Sequence, residues 1–268
     1  MSFRLILSLG IWAALSWGTP MDADASKRRA LIVGSNAAPA GLVPLRYAHH
    51  DARKVYDVLV ELAGVEREDA RLLLEPSASE LRVALGMLRS EVQAGEEVFF
   101  YYSGHADERG LLLGRDLMSQ SEIREFLRDE RAQVRVAILD ACKSGAVSTA
   151  KGGAIRAGVD IEWSVDPAVK GAVLITSSTA EEASVERDDL GGSLFSHFLV
   201  SGLRGAADDD QDRKVTLEEV FGHAYENTLA RSAESRSGYQ HPTYEYRIAG
   251  QKQLVVTRLE MPSYMSFG

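Results

Sequence analysis

Val134-Arg135-Val136-Ala137-Ile138-Leu139-Asp140-Ala141-Cys142-Lys143-Ser144-Gly145 is the stretch on which the reading of this chain turns. Its first six residues are β-branched or aliphatic with a single arginine, the pattern of a buried strand. The run ends in a carboxylate, the only cysteine of the 268 residues, and a Ser-Gly turn. A second stretch has the same layout: Val98-Phe99-Phe100-Tyr101-Tyr102 leads into Ser103-Gly104-His105. Two apolar strands are thus expected to deliver one reactive side chain each, just past their ends. Ligands and chemistry in open α/β sheets gather at the carboxyl ends of strands. A thiol and an imidazole placed there are a candidate nucleophile and its proton partner. An isolated cysteine is more often a buried core residue; the matched contexts of Cys142 and His105 favour the reactive reading.

Outward from these two strands, strand and helix patterns alternate. Arg29 to Gly34 is an apolar run entering a loop with Pro39, Gly41 and Pro44, and apolar residues then recur at helical spacing from Leu45 to Leu62. A short strand is expected at Arg71–Leu74, a helix at Ser79–Val92 capped by Ser77 or Ser79, and a hairpin element at Gly110–Gly114. A helix opened by Ser119 or Ser121 runs through Leu127. After the cysteine strand come a strand at Gly171–Thr176, helices at Ser193–Leu203 and Val215–Leu229, and a last strand at Gln253–Leu259. This alternation predicts an α/β fold with a mostly parallel central sheet flanked by helices.

Composition narrows the function. A net charge of −9 and a pI near 5.3 argue against a nucleic-acid partner, because phosphate binding wants a basic face. One cysteine forms no internal disulfide. Met1 to Arg4 is a short positive start, Leu5 to Gly18 is apolar, and Ala23-Asp24-Ala25 is a small-residue pattern. That is the layout of a secretory signal peptide over residues 1–25, cut after Ala25, so the mature chain is expected to be exported, periplasmic or secreted, with no membrane contact once the signal is removed. The apolar run is shorter than the roughly 20 residues a spanning helix needs, which makes an uncleaved anchor the weaker alternative.

Tyr101-Tyr102-Ser103-Gly104-His105 and Asp140-Ala141-Cys142-Lys143-Ser144-Gly145 resemble the two signatures of the caspase-like cysteine peptidases of family C14, most of all the metacaspase and orthocaspase branch found in bacteria and other non-animal lineages. The likeness covers nearly all of residues 28 to 258, including the Leu45…His50-Asp51-Ala52 helix start and the Ser177-Ser178-Thr179-Ala180 strand end. It implies a caspase-haemoglobinase-like α/β/α sandwich over residues 26–260. A large-subunit-like part would span 28–145, an irregular linker 146–170 and a small-subunit-like part 171–260, with 261–268 as a tail. It implies Cys142 as nucleophile and His105 as general acid/base. The backbone N–H groups of Cys142 and Ala106 would hold the oxyanion, with Ala106 standing where the family usually has glycine. Alanine restricts φ where glycine would not.

Specificity follows from charge. A substrate Arg or Lys at P1 needs buried carboxylates, whereas Asp at P1 needs arginines. In the metacaspase pattern the pocket positions match Asp51, Ser103 and Asp140, and Ser184 is a further candidate for the cleft. The expected partner is therefore a protein or peptide with Arg or Lys at P1. Lys151, Arg156 and Lys170 in the linker are candidate self-cleavage sites, the alternative being a solvated linker. A catalytically impaired caspase-like domain serving as a binding or scaffold module is the rival function. Oligomeric state is not specified by any residue.

No cofactor is required by this chemistry, but one loop suggests calcium. Asp208-Asp209-Asp210-Gln211-Asp212-Arg213-Lys214-Val215-Thr216-Leu217-Glu218-Glu219 nearly fits an EF-hand loop, with Asp208, Asp210, Asp212 and Glu219 at ligand positions. Arg213 stands where the sharp turn wants glycine. An acidic loop leading into a helix is also common without metal.

Overall fold

Each apolar run divides its side chains between two faces, and the helices follow suit. The computed structural model describes residues 26–143, 171–179, 182, 184–233, 238–247 and 253–259, without the side chains of Cys142 and Lys143. The segment 1–25 expected to be a signal peptide, the expected linker 146–170 with Lys151, Arg156 and Lys170, and the expected tail 261–268 lie outside the described residues.

The strands β1 (Arg28–Gly34), β2 (Val65–Leu74), β3 (Glu97–Asp107), β6 (Val134–Lys143) and β7 (Ala172–Thr176) form the parallel body of a sheet ordered β11-β7-β6-β3-β1-β2. The antiparallel β11 (Thr243–Arg247) closes one side, and β4 (Gly110–Leu113) and β5 (Asp116–Ser119) extend β3 as a meander. Ala30, Ile32, Phe99, Tyr101, Val136, Ile138, Val173 and Ile175 point to one face, where α1 (Ala48–Leu62), α4 (Leu194–Ser201) and α5 (Leu217–Ser232) cover them. Leu31, Val33, Phe100, Tyr102, Leu139 and Leu174 point to the other, under α2 (Ala78–Glu91) and α3 (Gln120–Leu127). Period-two alternation in strands buried on both sides thus builds two cores and an α/β/α sandwich.

Several boundaries differ from expectation for local reasons. Helix α1 begins at Ala48 rather than Leu45: Tyr47 has the non-helical φ of −121 of an N-cap, and its carbonyl accepts the first intrahelical bond, from the Asp51 N–H at 2.9 Å, while Glu186 accepts the Arg46 and Tyr47 N–H groups. Strand β2 starts six residues early, at Val65; as an edge strand it tolerates exposed Glu66, Arg67 and Glu68, which hide it from a search for apolar runs. Strand β11 was not expected at all. It shows only Tyr244 and Tyr246 alternating with polar residues, and both tyrosines pack on the core. Ser77 and Ser119 cap α2 and α3 through reciprocal Ser–Glu boxes with Glu80 and Glu122. After Ser201 the chain widens into a π segment, Gly202–Ala206, before β10 (Lys214–Thr216), which pairs with β12 (Val255–Arg258). A two-residue hairpin, β8 (Glu186–Arg187) with β9 (Gly192–Ser193), lies beside the start of α1.

Candidate active site

Both signature strands run further than their apolar residues suggest. β3 continues to Asp107 and β6 to Lys143, so His105 and Cys142 lie within the sheet's last rungs rather than beyond them. Pairing with β4 supplies the partner that lets β3 continue. In the parallel β3–β6 register His105 stands opposite Cys142, and two residues earlier Ser103 stands opposite Asp140. Ala106 pairs with Leu111 on one side and Lys143 on the other; it has no positive φ, so its backbone has no need of the glycine usual in the family. Gly104, by contrast, is sterically required. A Cβ there would meet the Tyr102 hydroxyl at 2.3 Å, and that hydroxyl lies 2.7 Å from the His105 carbonyl and 2.8 Å from that of Leu112.

His105 is 6% exposed. Its Nε2 lies 3.0 Å from the Val43 carbonyl, which can only accept, so Nε2 carries the proton. Nδ1 is left as the basic nitrogen, buried and with no hydrogen-bond partner among the described residues. Burial pushes the imidazole pKa down, and the Val43 bond opposes that shift. A neutral His105 at physiological pH is therefore ready to take a proton at Nδ1.

The acidic residues gather on the same side of the sheet as α1 and α4. Asp140 is buried, and its oxygens are satisfied by hydroxyls: Ser184 donates to Oδ1 at 2.9 Å, while Ser193 and Ser196 donate to Oδ2. Because the one Ser196 proton goes to Asp140, the Tyr101 hydroxyl donates to Ser196 Oγ. Ser103 is buried in the same group, next to the Tyr101 hydroxyl. Asp51, 1% exposed on the first turn of α1, receives the Ser193 N–H on Oδ2 at 2.8 Å. Its Oδ1 is buried without a hydrogen-bond partner among the described residues. Burial first, and the Asp140 charge second, raise the Asp51 pKa to about 8. Gly192 closes over this oxygen; a Cβ there would sit 2.4 Å from Oδ1.

The structure thus brings together Asp51, Ser103, Asp140 and Ser184, and it adds Ser193, Ser196, Tyr101 and Gly192. Ser193 had a readable signal as the N-cap of α4, accepting the Ser196 N–H at 3.0 Å. Its hydroxyl's second use, toward Asp140, has none. Val43 was equally invisible, since its carbonyl rather than its side chain does the work.

The acidic loop lies apart in sequence and is only partly as expected. Carboxylate oxygens of Asp208, Asp210 and Asp212 lie within 4.8 Å of one another, and Arg213 adopts the left-handed backbone (φ 64) that a glycine would take. Glu219 is not in that group. It closes the capping box of α5, accepting the Thr216 N–H and hydroxyl at 2.7 Å each, because Thr216 is the N-cap and Glu219 the N3 residue. Three carboxylates suit a hard, oxygen-seeking cation; the expected fourth ligand has other employment. No helix among the described residues is long and apolar enough to cross a membrane.

Comparison with known proteins places this geometry in a family. Residues 27–252 match the family model of the Peptidase C14 caspase domain. The chain is 22% identical to Metacaspase-4 of Arabidopsis thaliana over 228 residues, 72% of this chain and 50% of that protein, so it spans about half the length of the curated relative it matches. In fold it is similar to caspase-1 from Spodoptera frugiperda, with a TM-score of 0.64 and 13% identity, covering 88% of this chain and 91% of that one. With a family model matched over most of its length, the chain belongs to the caspase-domain family of cysteine peptidases, Peptidase C14.

Proposed function

We propose that this chain is a cysteine endopeptidase that hydrolyses peptide bonds after Arg or Lys. One observation carries the reading: the single β3–β6 register that sets His105 opposite Cys142 also sets Ser103 opposite Asp140. Chemistry and specificity are then held at a fixed spacing by the same ladder. Cys142 gives its thiol proton to His105 Nδ1, and the thiolate attacks the scissile carbonyl carbon. The oxyanion is stabilised by the N–H groups of Cys142 and Ala106. His105 returns the proton to the leaving amine, and a water molecule deprotonated by the same nitrogen hydrolyses the thioester.

The P1 side chain is the proposed partner of Asp51 Oδ1, a buried carboxylate oxygen with no hydrogen-bond donor among the described residues. A guanidinium or ammonium there would be recognised by charge-assisted hydrogen bonds. Asp140, already accepting three hydroxyl protons, adds negative potential and holds the pocket wall. The reading extends to export through residues 1–25, to self-processing at Lys151, Arg156 or Lys170, and to calcium held by Asp208, Asp210 and Asp212. In that last role the ion would be structural or activating, since none of these residues belongs to the dyad or the P1 pocket.

The test is turnover of fluorogenic peptides that differ only in P1, carried out with and without calcium. Cleavage after Arg and Lys but not Asp, lost in Cys142→Ala, is the expected result. No cleavage after Arg under either condition, together with no labelling of Cys142 by a thiol-directed peptide ketone, overturns the proposal. A Cys142→Ala chain that still cuts its own 146–170 segment removes self-processing from it.

A further inference from the structure

The carbonyl that fixes the His105 tautomer belongs to a loop, and the loop has an unusual anchor. Residues 35–47 leave the end of β1, turn at Pro39–Leu42 (Leu42 N–H to Pro39 O, 3.1 Å) and return to α1. Val43 precedes Pro44, which confines it to extended backbone, and its side chain is 75% exposed. No apolar packing of Val43 therefore holds its carbonyl toward His105. What holds the loop is polar. Glu75, directly after β2, accepts the Asn36 N–H at 2.5 Å, the Ala37 N–H at 3.1 Å and the Ser35 hydroxyl at 3.0 Å, and pairs with His49 Nε2 at 2.6 Å. Asn36 then ties both ends of the loop: its carbonyl accepts the Leu45 N–H at 2.9 Å and its side-chain oxygen accepts the His49 N–H at 3.3 Å.

Glu75 makes these contacts from a left-handed backbone, φ 52, which few non-glycine residues adopt. Its own N–H is bound to Gly34 O at 2.9 Å, so the conformation is fixed at the mouth of the sheet. Backbone strain of this kind persists where surrounding structure over-determines it, and it clusters at functional sites.

We propose that Glu75 is a positioning residue for the catalytic histidine: its carboxylate clamps the 35–47 loop so that the Val43 carbonyl holds His105 Nε2–H and leaves Nδ1 facing the reaction. The inference rests on the peptidase reading only for its kinetic consequence, since the tautomer can be observed directly. Asn36 and His49 serve the same clamp, one as the crossbar between loop ends and the other as a partner of Glu75 Oε1, the oxygen that accepts the loop amides.

The experiment uses the full chain labelled with ¹⁵N-histidine, with His105 assigned by comparison with His105→Gln. Wild type is expected to show His105 in the Nε2–H tautomer. Glu75→Gly removes the carboxylate while suiting the positive φ, so the fold is retained. In it the His105 signals are expected to become a tautomer mixture, with kcat on an Arg substrate falling about tenfold and KM within twofold of wild type, as for a misplaced acid/base. Glu75→Gln keeps an acceptor oxygen for the loop amides and is expected to recover the single tautomer. A glycine variant that keeps a pure Nε2–H tautomer, or a glutamine variant no better than the glycine one, overturns the proposal. If no substrate is cleaved by any form, the peptidase reading fails while the tautomer result still decides the clamp.

Discussion

Asp51 and Asp140 differ at the level of single atoms. Three hydroxyls complete Asp140, whereas Asp51 keeps one buried oxygen with no donor among the described residues and a pKa raised to about 8. A folded pKa above the unfolded value means that the native state holds a proton the unfolded chain has lost. The associated stability is fully present below about pH 4 and is lost as pH rises through about 8. The melting temperature of the wild-type chain is therefore expected to fall between pH 6 and pH 9, and Asp51→Asn, which is never charged, should flatten that fall in thermal melts. The same substitution should lower kcat/KM for an Arg substrate at least about 30-fold, because a bound guanidinium would draw the proton off Asp51, and losing one partner of that buried charge pair costs upward of ~2 kcal/mol. His105→Gln and Cys142→Ala should each cost at least about 10³ in kcat, with melting temperature little changed. The facing residues His105 and Cys142 were legible because reactive side chains at matched strand ends are rare. The Val43 contact was not, because a backbone carbonyl carries no mark in the sequence.

At the scale of elements, Ser193 links local and tertiary structure. It caps α4, donates to Asp140 through its hydroxyl and to Asp51 through its N–H. Ser193→Ala is expected to destabilise by at least about 1 kcal/mol through the lost cap, with a further loss in kcat/KM for Arg substrates. Ser193→Gly restores most of the capping backbone, so its melting temperature should lie closer to wild type while the kinetic defect stays. Equal effects of the two substitutions on both readouts would sink the dual role. The elements that were missed or expected too short share a cause. β2 and β11 are edge strands whose outer residues meet water, and β8–β9 is too short to leave a period. Conversely, α1 starts at Ala48 rather than Leu45, where Tyr47 takes an N-cap backbone and Glu186, far along the chain, accepts the Arg46 and Tyr47 N–H groups.

For the whole molecule, the cluster around Asp51 and Asp140 is assembled from both parts of the chain. Asp51, Ser103 and Asp140 come from before the linker, and Ser184, Ser193 and Ser196 from after it. The β6–β7 pairing and the contact of Glu186 with the start of α1 hold the two parts together without the linker. Calcium binding at Asp208, Asp210 and Asp212 should raise the melting temperature by about 5–10 °C at a hundredfold excess over Kd. Asp208→Asn combined with Asp210→Asn should abolish that rise, while Glu219→Gln, a capping change, should leave it intact. A rise that survives the double substitution places the ion elsewhere.

What the sequence determined by itself is whatever depends on short-range pattern. The apolar runs 98–102 and 134–139 specify buried strands, and their alternation with amphipathic segments specifies a parallel sheet between helices. The motifs at Ser103–His105 and Asp140–Cys142 specify the kind of chemistry. Tertiary structure alone decided the register that makes a pair of His105 and Cys142, the three hydroxyls on Asp140, and the unpaired oxygen of Asp51. The physical reason is that hydrogen-bond satisfaction and desolvation are properties of a position in the folded molecule. A carboxylate reads the same in the sequence whether three serines or none will reach it.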